Sequence, residues 1–293
     1  MIKEKLYIWV CDYSENSGEG KLARLFVKKL NINNNYKIIF NQEKKMLYKY
    51  ISTFFGILYC WKKYLNNQKV CYLNYLPLWN FFLFIFLPPK TILGPITGGA
   101  NYKKSNNFQY YVRSMIFPLL YKISEFFLNH RTSKIIFSTD LLKKKLFQKT
   151  IRKSQFNFVY ENLFYRKKTV KKIDFLIYYR KHKNKETFFP LDFIKKLIKN
   201  KFKIHIIGDK LNLPNLKNHG FISSKKVSKL QSLAKYTVVS GENLYSFFII
   251  ECLSNNMKVI VEKKDKLIIQ VHKQKFIKLN FNNKKDFKKI KKI

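Results

Sequence analysis

Apolar positions along this chain fall into short compact runs separated by stretches in which they recur every three or four residues. Residues 6–10 (LYIWV) form one such run, SGEG at 17–20 reads as a turn, and KLARLFVKKL after it repeats at helical spacing. Strand, glycine turn and helix follow in that order. Further runs at 36–40, 69–75 and 91–93 read as strands, the last leading into the turn GPITGGA at 94–100. After a long helical stretch, 134–138 is another β-branched run, Asp140 reads as the N-cap of a helix, and 156–160 ends the series.

The stretch YRKKTVKK at 165–172 has little apolar pattern and reads as a linker. Beyond it the alternation resumes, with strands at 173–179, 203–208, 236–240 and 257–261 and helices at 192–199, 224–234 and 246–253. Strands alternating with helices imply right-handed crossovers and mostly parallel sheets. The expected fold class is α/β, with two Rossmann-like doubly wound domains, 1–165 and 173–282, and a basic amphipathic tail at 283–293. A length of 293 residues accommodates two domains of the common size.

Charge adds a question of partner. The chain carries 59 basic and 17 acidic residues, a net charge of +42, which draws an anionic partner. Only six of the basic residues are arginine (Arg24, Arg113, Arg131, Arg152, Arg166 and Arg180), and proteins that read base edges depend on the arginine fork. That balance argues against nucleic acid and leaves an anionic membrane surface, or the ordinary solvated surface of a protein whose Lys, Asn, Ile, Phe and Tyr content fits an A/T-biased coding sequence. The four cysteines lie apart from one another and from any histidine cluster, so no metal is expected and a reducing, cytoplasmic setting is. The N-terminal residues carry no apolar leader pattern. Neither apolar stretch is a good span. Residues 76–87 stop at Pro88 and Pro89, and 108–128 contain Arg113, Pro118, Lys122 and Glu125, short of the roughly 20 apolar residues a crossing helix needs.

In parallel sheets, ligands bind in loops that follow strands. Gly18 and Gly20 precede a helix start suited to phosphate, and Thr97, Gly98 and Gly99 stand in a glycine-rich turn that allows close ligand approach. Arg180 ends the strand IDFLIYY, and with Lys185 it forms a pair able to clamp a diphosphate. The segment GENLYSFFIIECLSNN at 241–256 holds two of the scarce acids. Glu242 lies in its loop. Asn243, Tyr245 and Ser246 stand at the helix start, whose N–H groups suit a phosphate, and Glu251 within the apolar helix needs a polar partner such as a ribose diol. Asp209, after 203–208, reads as bounding the site.

With these motifs the second half resembles the donor-binding domain of retaining GT-B glycosyltransferases of group 1. Arg180 and Lys185 match that family's diphosphate-binding pair, residues 220–239 match the stretch that follows, and Glu251 with CLSNNMKVIV after it matches the second glutamate of a Glu-x7-Glu pair. The loops at 17–20 and 94–100 are similar to its acceptor-side loops. Counting back from Glu251 puts the first glutamate on Asn243, with Glu242 one residue early. The resemblance implies two domains facing across a cleft and a nucleotide diphosphate sugar as donor substrate, with no metal or other cofactor. It makes Glu242 the catalytic residue and Arg180, Lys185, Asn243, Tyr245, Ser246 and Glu251 the donor-binding set. The acceptor it implies is a glycan or lipid-linked sugar in cell-surface polysaccharide or lipopolysaccharide synthesis, met in the cytoplasm or at the inner face of the cytoplasmic membrane. An epimerase or non-catalytic nucleotide-sugar binder, and a basic protein that binds nucleic acid or membrane through lysine, are the alternatives.

Overall fold

A computed structural model of the chain describes residues 5–15, 17–30, 35–40, 46–98, 108–164, 166, 169–181, 189–239, 246–263 and 273–292. It divides into two compact units, Met1–Glu161 and Asn162–Ile293, each built on parallel sheet. The expected α/β class with Rossmann-like units holds.

The first unit runs β1 (Leu6–Val10), α1 (Gly18–Leu30), β2 (Tyr36–Phe40), α2 (Met46–Leu65), β3 (Lys69–Tyr72), α3 (Phe81–Phe86) and β4 (Ile92–Leu93). It continues through α4 (Phe108–Tyr111), a π-helical turn, α5 (Phe117–Arg131), β5 (Ile135–Ile136), α6 (Gln148–Lys153) and β6 (Ser154–Gln155). The strands line up as β2-β1-β3-β4, and an Ile96–Phe137 bridge leads on towards the β5–β6 pair. Alternation along the strands sends Trp9, Val70 and Tyr72 into one core, where they meet Cys60 of α2, Leu83 and Phe84 of α3, and Tyr121 and Leu128 of α5. These three helices therefore cover one face of the sheet. The crossover from β1 to β2 runs the opposite way along the sheet, so right-handed connection puts α1 on the other face.

Several local expectations change. The glycines at 18 and 20 do not form a loop: they are the first turn of α1, with Ser17 as its cap, since its Oγ accepts the Gly20 N–H at 2.8 Å. A Cβ at residue 20 would sit 2.3 Å from the Ser14 carbonyl oxygen, so glycine lets the loop after β1 close over the helix. Asp140 caps no α-helix. It is buried and bound to Asn157, whose Oδ1 accepts the Asp140 N–H at 3.0 Å, and the chain turns through a 3-10 segment at Lys143–Lys145 before α6. Residues 156–160 are not a strand; Phe158–Asn162 is a 3-10 turn and the strand is the shorter β6 before it.

The second unit runs β7 (Ile173–Tyr179), α7 (Leu191–Lys199), β8 (Ile204–Gly208), β9 (Leu216–Asn218), α8 (Ser224–Leu233) and β10 (Ala234–Val238). It ends with α9 (Phe247–Ser254), β11 (Lys258–Glu262), β12 (Phe276–Leu279) and α10 (Lys284–Phe287). All six strands are parallel in the order β9-β8-β7-β10-β11-β12, which, counted from the first strand, is the 3-2-1-4-5-6 order of dinucleotide-binding sheets. β7 is central and buried along nearly its whole length, which is why it reads as apolar at every position but one. Its one acid, Asp174, is buried and accepts the Lys203 N–H at 2.8 Å. Residues 283–292 pack on this unit: Phe287 lies against Phe193 and Phe202, and Ile290 is buried.

Candidate functional site

Strand order reverses between β7 and β10. The helix after β7 therefore leaves in one direction and the helix after β10 in the other, and a crevice opens at the carboxyl ends of the two strands. Tyr178 from β7, Val238 and Val239 at the end of β10, Phe189 and Pro190 ahead of α7, and Ser246, Phe248 and Ile249 at the start of α9 line a pocket there. Its volume is about 320 Å³, part of it open to solvent.

The walls are mainly apolar and the polar elements few. Tyr178 and Phe248 face each other with ring centres 5.7 Å apart, and Tyr179 packs on Phe189 at 4.7 Å. Ser246 has extended backbone, and its carbonyl accepts the Ile249 N–H at 3.0 Å while its hydroxyl makes no capping bond. The positive end of the α9 dipole thus opens on the pocket. α9 is fixed from behind by Gln231 of α8, fully buried, which donates to the Phe248 carbonyl at 3.3 Å and accepts from Asn255 at 3.2 Å.

Arg180 is the first residue beyond β7 and is exposed. The backbone beside it is held by the turn after β8: Asp209 donates its N–H to the Tyr179 carbonyl at 3.0 Å and accepts the Lys181 N–H on its carboxylate at 2.7 Å. That turn requires glycine. Gly208 has φ +96°, and a Cβ there would sit 2.2 Å from the Tyr179 carbonyl oxygen. Asp209, read from the sequence as a boundary of the site, anchors the strand end that carries Arg180.

Of the other sequence candidates, Ser246 lines the pocket, and Glu251 is half-buried on α9, one turn further in and outside the lining residues. Lys185, Glu242, Asn243 and Tyr245 lie outside the described residues, as does Gly99. In the first unit, Thr97 pairs its backbone with Leu76 and Leu78, and Gly98 packs where a Cβ would meet Leu142 at 2.5 Å. Gly18 and Gly20 belong to the α1 start. Sequence reasoning missed Asn74, which is buried and knits the loop after β1: its Oδ1 accepts from Cys11 and Asp12, at 3.0 and 3.2 Å, and its Nδ2 donates to the carbonyls of Asp12 and Glu19. It also missed Tyr178, Val238, Val239 and Phe248. These read as core, and only the strand order marks them as pocket walls.

Away from the pocket, His205 of β8 and His219 face each other at 3.0 Å. Burial, with help from His219, Lys217 and Lys203, pushes the His205 imidazole down to about 4. Burial raises the thiols of Cys11, Cys60, Cys71 and Cys252, which are protonated core groups. Among the described residues no group of three or more His, Cys, Asp or Glu side chains is placed to hold a metal.

No protein-family profile matches the chain, and no curated protein does. Solved structures with a similar course include an alpha-glucosyltransferase in complex with UDP and a 13-mer DNA, at 12% identity over 98% of this chain and 89% of that one, TM-score 0.49. A Methanocaldococcus jannaschii UDP-GlcNAc 2-epimerase in complex with UDP-GlcNAc and UDP is 11% identical over 89% of this chain and 84% of its own, TM-score 0.47. An E. coli heptosyltransferase with ADP-2-deoxy-2-fluoro heptose is 9% identical over 94% and 92%, TM-score 0.36.

Proposed function

We propose that the chain is a glycosyltransferase that uses a nucleotide diphosphate sugar, bound in the second unit at the switch between β7 and β10. The observation that carries the reading is the convergence, on one sheet edge, of an apolar pocket, an uncapped helix start and an exposed arginine. Tyr178 and Phe248 offer flat apolar walls for a base, the α9 start favours the diphosphate, and Arg180 with Lys185 neutralises it as it leaves. Glu251 holds the ribose, with Asn243 and Tyr245 completing the donor loop. Glu242 lies near the transferred sugar. No metal is assigned to the reaction, and the acceptor is a glycan or lipid-linked sugar met at the cytoplasmic face of a membrane.

Calorimetry with UDP, ADP, GDP and their sugars tests the binding half. Arg180→Ala is expected to weaken nucleotide affinity on the order of tenfold or more, the loss of one charge-assisted contact, while Arg152→Ala leaves it unchanged. Equal affinities in the two variants remove Arg180 from the site. Steady-state kinetics with the donor so found tests the rest: Glu251→Gln is expected to raise KM and Glu242→Gln to lower kcat. A silent Glu242→Gln beside an Asn243→Ala that loses kcat moves the catalytic role to the family-aligned position. Donor consumed with its sugar inverted and no acceptor needed would mean an epimerase.

A further inference from the structure

The outer surface of the first unit is apolar in a way its partner unit is not. Among the described residues sixteen large apolar side chains are exposed in the first unit and four in the second, and fourteen of the sixteen stand on α2, α3 and the continuous helical stretch from α4 to α5. The first unit does hold more aromatic residues, 33 of the chain's 50, but a larger supply does not by itself sort them into outward-facing helical stripes.

The spacing shows a built surface. On α2, Ser52, Gly56 and Cys60 face the sheet, and a Cβ at Gly56 would meet the Trp9 ring at 2.3 Å. The opposite stripe is Ile51, Phe54, Phe55, Leu58 and Leu65, all exposed, where a helix on a soluble domain carries polar residues. From α4 to α5 the exposed stripe is Tyr111, Met115, Leu119, Ile123 and Phe126. Between them lies α3, bonded to α2 through the Trp61 indole N–H and the Phe86 carbonyl at 2.6 Å, and to α5 through Arg131, whose guanidinium donates to the carbonyls that end α3. α3 exposes Phe82 and Phe86, stacked on each other. All three helices bury their inner sides in one core, so the three stripes face outward from the same side of the sheet.

Among the described residues the exposed charges around this face have one sign. α2 and α3 contain no acid, and the single acid between residues 108 and 131, Glu125, is fully buried, accepting the Phe147 N–H at 2.6 Å. Lys62, Lys90, Lys143 and Lys144 are exposed around it, and Lys122 lies over the exposed Phe147 ring. No described helix is long and apolar enough to cross a membrane. We propose that this face, α2, α3 and α5 together, docks flat on an anionic phospholipid surface, the aromatics entering the interface and the lysines meeting the headgroups. The proposal stands apart from the nucleotide-sugar reading, because it needs no nucleotide.

Vesicle flotation of the full chain without nucleotide tests it. Vesicles of phosphatidylcholine mixed with phosphatidylglycerol are expected to carry the protein, and phosphatidylcholine alone to carry much less. Phe54→Ser, Leu58→Ser, Leu119→Ser and Phe126→Ser together are expected to weaken binding about tenfold or more with unchanged circular dichroism, since those side chains are exposed, whereas Phe221→Ser on the second unit has no effect. Binding that the fourfold variant retains in full, and that added salt abolishes, would reduce the effect to lysine alone and overturn the proposal. Absence of binding by the unmutated chain overturns it, and so does a dimer that the fourfold variant converts to monomer, which would make a second copy the occupant.

Discussion

Acid should weaken this fold through His205. Its imidazole is pushed from 6.5 down to about 4 by burial first, then by His219, Lys217 and Lys203. A neutral pair satisfies itself, one ring donating and the other accepting across 3.0 Å, and a first proton on His219 still leaves one N–H against one lone pair. A second proton sets two N–H groups head to head. Above pH 6.5 both native and unfolded chains hold His205 neutral, and its contribution to stability is complete. Between 6.5 and about 4 the unfolded chain binds a proton that the native one refuses, so stability falls with pH at about 1.4 kcal/mol per unit. The loss reaches at most about 3 kcal/mol and levels off below the native value. His219, lowered in the same direction, adds to it. Urea unfolding from pH 7.5 to 4, comparing the native chain with His205→Gln, isolates the effect, because general charge repulsion acts on both. Glutamine accepts from His219 without titrating, and its curve should be flatter across this window. Parallel curves would refute the assignment.

Three further outcomes follow from the geometry. Gly208→Ala should cost more than about 2 kcal/mol in urea unfolding, from the positive φ and the contact with the Tyr179 carbonyl, and should also lower nucleotide affinity because that carbonyl precedes Arg180. Ser246→Asp should change stability and binding in opposite senses: a carboxylate at the α9 start stabilises the helix by about 0.3–1 kcal/mol, read as a higher Tm, while repelling a diphosphate by on the order of tenfold in calorimetry. Asn74→Leu leaves the Cys11 and Asp12 N–H groups without their acceptor and should destabilise by about 2–4 kcal/mol, measured by thermal unfolding.

The alternation of strand and helix was legible because the central strands are buried on both faces. β7 and β8 read as apolar runs interrupted only by Asp174 and His205, and glycine at 208 marks where β8 must stop. The edge strands β9 and β12 were not legible. Residues 216–218 read LKN, half exposed, and their strand character comes from pairing with β8 rather than from their own pattern. α2 escaped for the opposite reason: apolar on both sides, it lacks the one-sided periodicity by which a surface helix is recognised. The pocket followed suit. Arg180 and Ser246 stand out as a charge and a helix start, but Tyr178, Val238 and Phe248 become walls only once β7 is known to neighbour β10.

Scarcity of acids was a sound reason to look at them and a poor guide to which would act. Glu125, Asp140 and Asp174 are all buried, and each is bound to a backbone N–H or, for Asp140, to the Asn157 amide. Asp209 does the same at the end of β7. In a chain with 59 basic residues, a carboxylate is the side chain that can accept a stray N–H inside the fold most strongly, so rarity alone does not separate catalyst from anchor. Position does. The same holds for lysine and phenylalanine: a biased coding sequence sets how many of each the chain contains and not which of them stand outside. The first unit buries Trp9, Tyr72 and Phe84 yet leaves Phe54, Phe55, Phe82 and Phe126 outside on its helices, while the second sets Tyr178 and Phe248 in a pocket wall; placement is where function enters.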